Sequence, residues 1–340
     1  MHLKKLLITS TIIAATSISN NTVADIKVSG DQEWNYLDAG GSFKSTLGSS
    51  TSFTFTGTGD LSNGISYLVK FTLEDGDQSY RAITFDLGSG LKLGIGYDQS
   101  YGIETVKAIS PYVNNRRAHI TGAHRGFPTA ARKPLGPDVW DTSSGENAIG
   151  LSFKNDLAAI SFGFTPVRDV NTSTDAIATS SATSSEYGTA SSIGVKLTPV
   201  DGLTIGFGTS SEESDATANS DPKGTTIGFQ YKIGSFAIGY QEIENELDDT
   251  TTQRVTTTEI QEGGVAYKVN DALTIGVFAA NINYLTVNTD NGVETGMGIV
   301  QVGYNLGPAV IQYDYADGSD LNGTKDTEYE IHKIKVKVNF

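Results

Sequence analysis

The clearest pattern along the chain is a strict alternation of apolar and polar side chains. In residues 65–74, for example, the odd positions are all apolar and the even ones are mostly polar or charged. Such alternation predicts β-strands with one apolar face, and helical periodicity is convincing nowhere. Sixteen candidate strands show it, with their apolar positions in 26–28, 53–55, 65–73, 83–87, 91–97, 149–153, 160–164, 193–197, 203–207, 227–231, 236–240, 265–269, 273–277, 300–304, 311–315 and 334–340.

The predicted connections alternate between short and long. Short turns carry the Gly, Asn, Asp and Pro residues that tight turns need, as in 62–64, 88–90 and 305–308. A β-barrel of the outer membrane has this organisation, with the short turns at its periplasmic rim. The longer loops are rich in Ser, Thr and Asp and are predicted near 37–48, 74–80, 98–146, 165–190, 209–224, 242–258, 281–294 and 316–327.

The strand lysines test this interpretation. A lysine that faces lipid at mid-bilayer costs about 2–4 kcal/mol, so strand lysines in a barrel must lie on the polar, lumen-facing parity. The acids Glu74, Asp86 and Asp314 follow the same rule, whereas Arg81 and Glu330 depart from it beside long loops. Ten lysines obey the rule: Lys27, Lys70, Lys92, Lys154, Lys196, Lys232, Lys268, Lys333, Lys335 and Lys337.

A solvated sheet face would show the same lysine parity, so that parity alone favours a barrel only modestly. Together with the loop lengths and an N-terminal export signal, it predicts an all-β protein: a transmembrane, antiparallel, up-and-down β-barrel. Tyrosines near the predicted strand ends suit the aromatic girdles of such barrels, although ordinary strand-end tyrosines would look alike. They are Tyr36, Tyr97, Tyr101, Tyr231, Tyr240, Tyr267, Tyr304, Tyr313 and Tyr315.

The N-terminus predicts a signal peptide over residues 1–24. Two lysines precede an apolar stretch that is too short for a membrane-spanning helix, and Thr22-Val23-Ala24 forms a small-x-small cleavage pattern. The alternative is an amphipathic first element of a cytosolic domain. Removal of the two lysines leaves 22 basic and 39 acidic residues in 25–340, a net charge of −17 that argues against a nucleic-acid partner.

Three segments resemble the bacterial general porins. Residues 25–30 are similar to the first porin strand, 81–94 to the hairpin before the long third loop, and 333–340 to the Phe-ending signal of the barrel-assembly machinery. Where that signal usually has tyrosine, this chain has Val338. The resemblance implies a homotrimer of 16-stranded barrels in the outer membrane of a Gram-negative bacterium. Each barrel would be a single domain over 25–340, with its third loop folded inward to narrow the pore and Phe340 as the assembly signal.

Loop 98–146 is the best candidate for the functional site. Loops of this length without regular elements are usually functional or disordered, and its Pro and aromatic residues favour packing. It has no acid between Lys107 and Lys133, where its basic side chains would give the pore a positive field or pair with wall acids and hold the loop. The candidates are Lys107, Arg116, Arg117, His119, His124, Arg125, Arg132 and Lys133, with Lys27, Lys70, Asp86, Lys92, Asp314, Lys333 and Lys335 on the lumen wall.

The resemblance also suggests a departure in selectivity. The best-known porins place carboxylates in the third loop opposite wall arginines, whereas this loop is basic, so we expect an anion preference. The other loops are acidic and predict a solvated outer surface, where divalent cations could bridge to lipopolysaccharide. The acids are Glu212, Glu213, Asp215, Asp221, Glu242, Glu244, Glu246, Asp248, Asp249, Asp317, Asp320 and Asp326.

No enzyme signature emerges. His119 and His124 lack the glutamate of a His-Glu-x-x-His zinc motif, there is no Gly-x-Ser-x-Gly elbow, and the chain contains no cysteine. No metal site and no cofactor are therefore expected, apart from divalent cations at the outer loops. The predicted function is passive diffusion of small hydrophilic solutes and ions. The alternatives are a monomeric substrate-specific barrel and a surface adhesin or secreted β-solenoid, although a solenoid would show a fixed short repeat.

Overall fold

The computed structural model describes residues 25–39, 45–97, 101–106, 109–113, 147–166, 189–213, 223–246, 255–286, 289–320 and 328–340. Almost all of them lie in strands, and one short 3₁₀ turn spans Gly102–Val106. The predicted signal peptide lies outside the described residues. The strands are β1 (Asp25–Ala39), β2 (Thr46–Asp60), β3 (Ser66–Glu74), β4 (Asp77–Gly88), β5 (Leu91–Tyr97), β6 (Asn147–Lys154), β7 (Ala158–Thr165), β8 (Ala190–Val200), β9 (Leu203–Glu212), β10 (Lys223–Ile233), β11 (Phe236–Glu246), β12 (Val255–Lys268), β13 (Leu273–Thr286), β14 (Thr289–Asn305), β15 (Ala309–Ser319) and β16 (Glu328–Asn339).

Each strand pairs antiparallel with its neighbours in sequence, and β1 pairs with β16 to close the barrel. The closed barrel of 16 strands confirms the predicted fold class and strand number. The described part of the chain contains no helix with the length and hydropathy of a membrane span.

The closing seam joins the two ends of the barrel domain. The Phe340 N–H donates to the Gly30 carbonyl at 3.0 Å, and the Gly30 N–H donates to the Phe340 carbonyl at 2.9 Å. The Phe340 ring packs edge-on against Phe53 of β2, with ring centroids 5.8 Å apart. Because a Cβ on Gly30 would lie 2.8 Å from the Phe340 ring, this position needs a residue without a side chain. The C-terminal residue therefore spans the seam.

The short connections lie at the same rim as the start of β1 and the end of β16. In outer-membrane barrels, the short turns mark the periplasmic rim. On the opposite, extracellular rim two predicted loops are wrong. Instead of a loop over 74–80, β3 and β4 meet in a two-residue turn at Asp75 and Gly76, whose φ angles of 50° and 92° allow a tight hairpin. Instead of a loop over 281–294, β13 and β14 extend until only residues 287–288 separate them. Polar composition misled both predictions, because a hairpin above the membrane exposes polar side chains on its strands.

The apolar residues of the strand alternation cover the outer face of the barrel. On β16, Ile334, Val338 and Phe340 are 43%, 39% and 63% exposed, whereas Lys335 lies between them on the inner face. The two departures from lysine parity do face outward. Arg81 stacks on Tyr97, with its guanidinium carbon 5.5 Å from the ring centre. The Glu330 carboxylate lies 3.2 Å from His332 Nε2. Both lie toward the extracellular ends of their strands, where interfacial aromatic and polar groups belong.

We predict that deletion of Phe340 destabilises the barrel more than Phe340→Ala does. The deletion removes two backbone hydrogen bonds of the seam in addition to the ring, and each bond contributes about 0.5–1.5 kcal/mol, or more where water cannot replace it. Urea unfolding of the refolded protein in detergent measures the difference. Equal stability of the two variants would show that the seam bonds do not contribute. Gly57→Ala is the control, since its Cβ would meet open space.

The pore and its inner wall as the candidate functional site

The apolar parity changes sides halfway along the later strands. On β13, Val277 faces outward and is 58% exposed, but the next residue, Phe278, faces inward and is 2% exposed. Nearer the extracellular rim, buried apolar residues face the lumen and their neighbours Asn281 and Asn283 face out. The same change occurs on the other strands from β11 to β16. The inward apolar residues there are Ile243, Ile260, Phe278, Ala280, Ile282, Met297, Ile299, Ala316 and Ile331.

This inward apolar surface receives the first part of the long loop. Residues 101–106 and 109–113, which we call the seated segment, lie along the inner wall from β5 to β14. Ile103 and Val106 are fully buried and Ile109 is 3% exposed, in one cluster with the inward wall residues. Tyr112 stacks on Phe278, with ring centroids 4.4 Å apart. Burial of these side chains anchors the segment inside the barrel.

Inward glycines make room for the seated segment, and we call them the glycine track. Their lack of a side chain is required, because a Cβ on Gly208 would lie 2.7 Å from Val106 and one on Gly239 would lie 2.6 Å from Pro111. Gly102 itself has a φ of 64° and rests against Ser192. The glycine track comprises Gly94, Gly150, Gly194, Gly206, Gly208, Gly239 and Gly276, which face Tyr101, Gly102, Ile103, Val106, Ile109, Pro111 or Val113.

Wall side chains satisfy the backbone of the seated segment. Gln241 of β11 is fully buried; its Oε1 accepts from the Ile109 N–H at 2.9 Å and its Nε2 donates to the Val106 carbonyl at 3.0 Å. Without such partners, a backbone group buried on an apolar wall would cost about 1–3 kcal/mol. Ser161, Ser192 and Gln301 accept from Gly102, Ile103 and Val113, and Gln230 donates to the Ile109 carbonyl.

Tyr101 corrects one of the girdle predictions. Its ring lies inside the barrel over Gly94 and Gly150 and is 7% exposed. Spacing after β5 suggested a strand-end position at the membrane boundary, but the chain turns inward directly after this strand. Other tyrosines do lie outward near strand ends; Tyr36, Tyr231, Tyr267 and Tyr304 are 37–41% exposed.

Three of the seven predicted wall charges, Lys335, Lys92 and Asp86, are held in ion pairs. Lys335 binds Glu33 at 2.7 Å, with both side chains 16% exposed, and Lys92 lies 3.8 Å from Asp86 with both half exposed. Lys337 pairs with Asp31 at 3.2 Å. In the β12–β13 turn, the Lys268 ammonium at 2.8 Å holds the pKa of Asp271 below its usual value. Asp86 is therefore engaged by a wall lysine.

Other wall lysines have no carboxylate partner in the described part of the chain. Lys70 lies over the Tyr80 ring, 4.6 Å from its centre, which is a cation–π contact. No described carboxylate lies within 4.0 Å of the ammonium groups of the remaining ones. These are Lys27, Lys154, Lys196 and Lys232, all inward and all in the periplasmic half of their strands.

Three of the inward acids are buried. Asp314 is 2% exposed, accepts from Gln301 Nε2 at 3.3 Å and lies directly opposite Lys333 in the β15–β16 register. Glu262 is 1% exposed and accepts from the Tyr112 hydroxyl at 3.1 Å. Glu212, which we assigned to the solvated outer surface, also faces inward and is 1% exposed, so that assignment is wrong. Strand β9 continues through Glu212 and carries it to the lumen side.

The basic residues of the predicted constriction lie outside the described residues: Lys107, Arg116, Arg117, His119, His124, Arg125, Arg132 and Lys133. Their place at the waist, and the inward fold of the loop as a whole, stay predictions. The described residues contain no group of three or more His, Cys, Asp or Glu side chains arranged to hold a metal ion. Divalent cations at the outer acids also stay a prediction.

The sequence analysis missed the glycine track and the glutamines that bond to the seated segment, Gln230, Gln241 and Gln301. Two features of the sequence point to an occupied inner wall. Gly94-Ile95-Gly96 and Gly206-Phe207-Gly208 place glycine at successive inward positions of a strand, where a polar side chain would be ordinary. The second signal is Val277-Phe278, where apolar residues stand on both parities and mark the change of face.

Comparison with known proteins agrees with this geometry. The family model for Gram-negative porins matches residues 9–321, and the chain belongs to that family. The family and the closed barrel together define an outer-membrane porin, a channel rather than an enzyme, through which small solutes diffuse passively. A search among curated proteins gives no significant match.

Solved structures share the fold at low identity. In-vitro folded OmpT of Vibrio cholerae is 13% identical, with 95% of this chain and 100% of that chain covered and a TM-score of 0.64. The anion-selective porin from Comamonas acidovorans is 12% identical, with 93% and 100% covered and a TM-score of 0.62. OmpF of Salmonella typhi, in complex with daunomycin, is 11% identical, with 93% and 98% covered and a TM-score of 0.64.

We predict that Gly206→Leu narrows the pore. The leucine would occupy the space of the Ile109 and Val106 side chains, so the seated segment must move toward the barrel axis. Single-channel conductance in potassium chloride should fall. Gly298→Leu is the matched control, because Gly298 has no neighbour within 4 Å and faces outward. Unchanged conductance in the Gly206 variant would contradict a role of the seated segment in pore width.

Proposed function

We propose that this porin prefers anions. The observation that carries the proposal is a difference between the charges of the inner wall. Most inward carboxylates are paired with lysine or buried, with Glu74 at the extracellular end of β3 as an exposed exception, whereas several inward lysines have no carboxylate partner among the described residues. Low-dielectric walls focus the field of such charges on passing ions. The basic stretch of loop 98–146 adds positive charge, and the likeness in fold to an anion-selective porin accords with the proposal.

The acidic net charge of the chain does not oppose this preference. Many of its acids lie in the loops or on the outer face, as Glu213, Glu242 and Asp317 do. Exposed charges act over only about 8–10 Å at physiological salt. Ions inside the pore therefore respond mainly to the inner wall and to the basic stretch of the loop.

The test is the reversal potential of the refolded protein in a potassium chloride gradient. We expect wild type to prefer chloride, and Arg116→Ser with Arg117→Ser and Arg125→Ser to shift the potential toward potassium. Glu213→Gln, at the exposed rim, should leave it nearly unchanged. A strong potassium preference in wild type would reject the proposed selectivity. An unchanged potential in the triple variant would assign the loop arginines to a structural role.

We further propose that the protein assembles as a homotrimer. Vibrio cholerae OmpT, which shares the fold, is described in a trimer form. On this chain, Leu47, Trp34 and Tyr36 form an exposed outward patch toward the extracellular end of β1 and β2, where they are 73%, 49% and 39% exposed. We assign this patch to the contact with a second copy, which would cover it in place of lipid in a closed symmetric trimer.

We expect Leu47→Arg combined with Trp34→Gln to reduce the assembly from three chains to one. The charged side chain would have to be buried against the neighbouring copy, which is costly without a partner. Light scattering in detergent measures the protein mass per particle. Leu157→Arg is the control, since Leu157 is equally apolar and 64% exposed but lies in the periplasmic β6–β7 turn. Trimers in the double variant, or monomers in wild type, would contradict the proposed assembly surface.

A further inference from the structure

Two of the open lysines share one row of the inner wall. In the register of β6, β7 and β8, Lys154 lies opposite Ala159, and Ala159 lies opposite Lys196. Adjacent strands are about 4.8 Å apart, so the two backbones stand about 10 Å apart. The side chains have flexible four-carbon stems, and both ammonium groups can therefore reach one point above Ala159.

No contact within the described part of the sheet explains why these two positive charges lie in one row. Like charges at close range on one sheet face are destabilising, yet neither lysine has a carboxylate within ion-pair distance in the described part of the chain. The acid nearest in sequence, Asp156, follows Lys154 in the β6–β7 turn and forms no ion pair with it. By contrast, Lys92 has Asp86 and Lys70 has the Tyr80 ring. Among the described residues, the row is therefore a concentration of positive charge without a carboxylate partner.

Small residues leave space around the two lysines. Ala159 stands between them, and the inward residues one row above are Ser152 and Ser161. On the β9 side, Gly206 pairs with Lys196, but the Ile109 side chain fills the space above that glycine. A small oxyanion would therefore lie over Ala159, between the two lysines. Ser152 and Ser161 also bring hydroxyl groups near this position, and the Ser161 hydroxyl accepts a hydrogen bond from the Gly102 N–H.

The row also borders the seated segment. Gly194, two residues before Lys196 on β8, contacts Gly102 and Ile103 one row to the extracellular side of the lysines. Gly206 pairs with Lys196 in the β8–β9 register, so Ile109, which contacts Gly206, lies level with the row. A solute that passes Gly102 and Ile103 on this wall therefore meets Lys154 and Lys196 next.

We propose that Lys154 and Lys196 form a subsite for a multivalent oxyanion, such as phosphate or the phosphate group of a small solute. An anion with two negative charges gains attraction from both ammonium groups at once, whereas chloride gains only about half as much. The proposal rests on the anion preference proposed above and deepens it, because it assigns binding to one place on the wall. It predicts saturable binding in a pore that otherwise conducts by diffusion.

The probe is inorganic phosphate, titrated at pH 8 against the chloride current of the full-length refolded trimer. We expect a saturable fall of the current in wild type. Lys154→Gln with Lys196→Gln should raise the half-inhibiting phosphate concentration about tenfold, which corresponds to 1.4 kcal/mol. Lys27→Gln with Lys70→Gln is the matched control, because it removes two inward lysines from another part of the wall. It should reduce chloride preference without altering phosphate inhibition.

Charge rescue makes the test independent of folding defects. The chain has no cysteine, so Lys154→Cys introduces a single thiol. Modification of that thiol with aminoethyl methanethiosulfonate restores a positive charge, and sulfonatoethyl methanethiosulfonate adds a negative one. Phosphate inhibition should return with the first reagent only.

The outcomes separate the two proposals. A potassium preference in wild type would reject the anion preference itself. Chloride preference with no phosphate inhibition, or with equal inhibition in both double variants, would reject the subsite and leave the general positive field. Rescue by neither reagent or by both would also overturn the subsite.

Discussion

The structure depends on one constraint: within a bilayer, every backbone N–H and C=O must find a partner in the protein, because water is absent. A sheet meets it only by closing on itself, and here the closure falls on the seam between β1 and β16. The terminal Phe340 exchanges both of its backbone hydrogen bonds with Gly30 and adds a ring contact to Phe53. In the closed barrel, one face of each strand meets lipid and the other meets the lumen, so the strand lysines must face inward. On the inner face, Lys335 and Lys337 form ion pairs with Glu33 and Asp31, whereas lipid offers a lysine no partner.

The same requirement shapes the seated segment. A loop that enters the lumen brings backbone groups onto the wall, and the wall must both make space for them and bond to them. The glycine track makes the space, and Gln241 bonds to the segment at Val106 and Ile109. Apolar residues on the inner wall, such as Ile260 and Ile282, are stable only because they are covered. The position of the segment is therefore specified by side chains on at least seven strands, which makes a rigid rather than a loosely attached insertion.

Much of the fold was predictable from the sequence, since alternation and charge parity are local consequences of a barrel wall. Alternation, however, does not say which side of the wall is apolar. That depends on what each side meets: Val265 faces lipid, whereas Ile260, only five residues earlier, faces the inner core. The Asp75-Gly76 turn was hidden because polar residues on a strand that rises above the membrane resemble a loop. Tyr101 was misplaced for a similar reason, because spacing gives no direction to the chain after β5. The wall lysines could be placed on the inner face from the sequence, but whether each has a partner depends on the register between strands.

The register between strands also determines which charges on the inner wall are paired and which are not. Asp31, Glu33 and Asp86 each lie within reach of a lysine on the adjoining strand. Glu262 and Asp314 belong to the extracellular half of the wall, where the seated segment or a neighbouring side chain bonds to them and they are buried. The lysines that have no carboxylate partner in the described part of the chain lie in the periplasmic half of the wall. A chain with an excess of acids can thus present a positive surface to its pore, because paired and buried carboxylates contribute little to the field that a passing ion meets. Selectivity in such a barrel is decided by which charges are left over on the inner wall, and net composition does not reveal it.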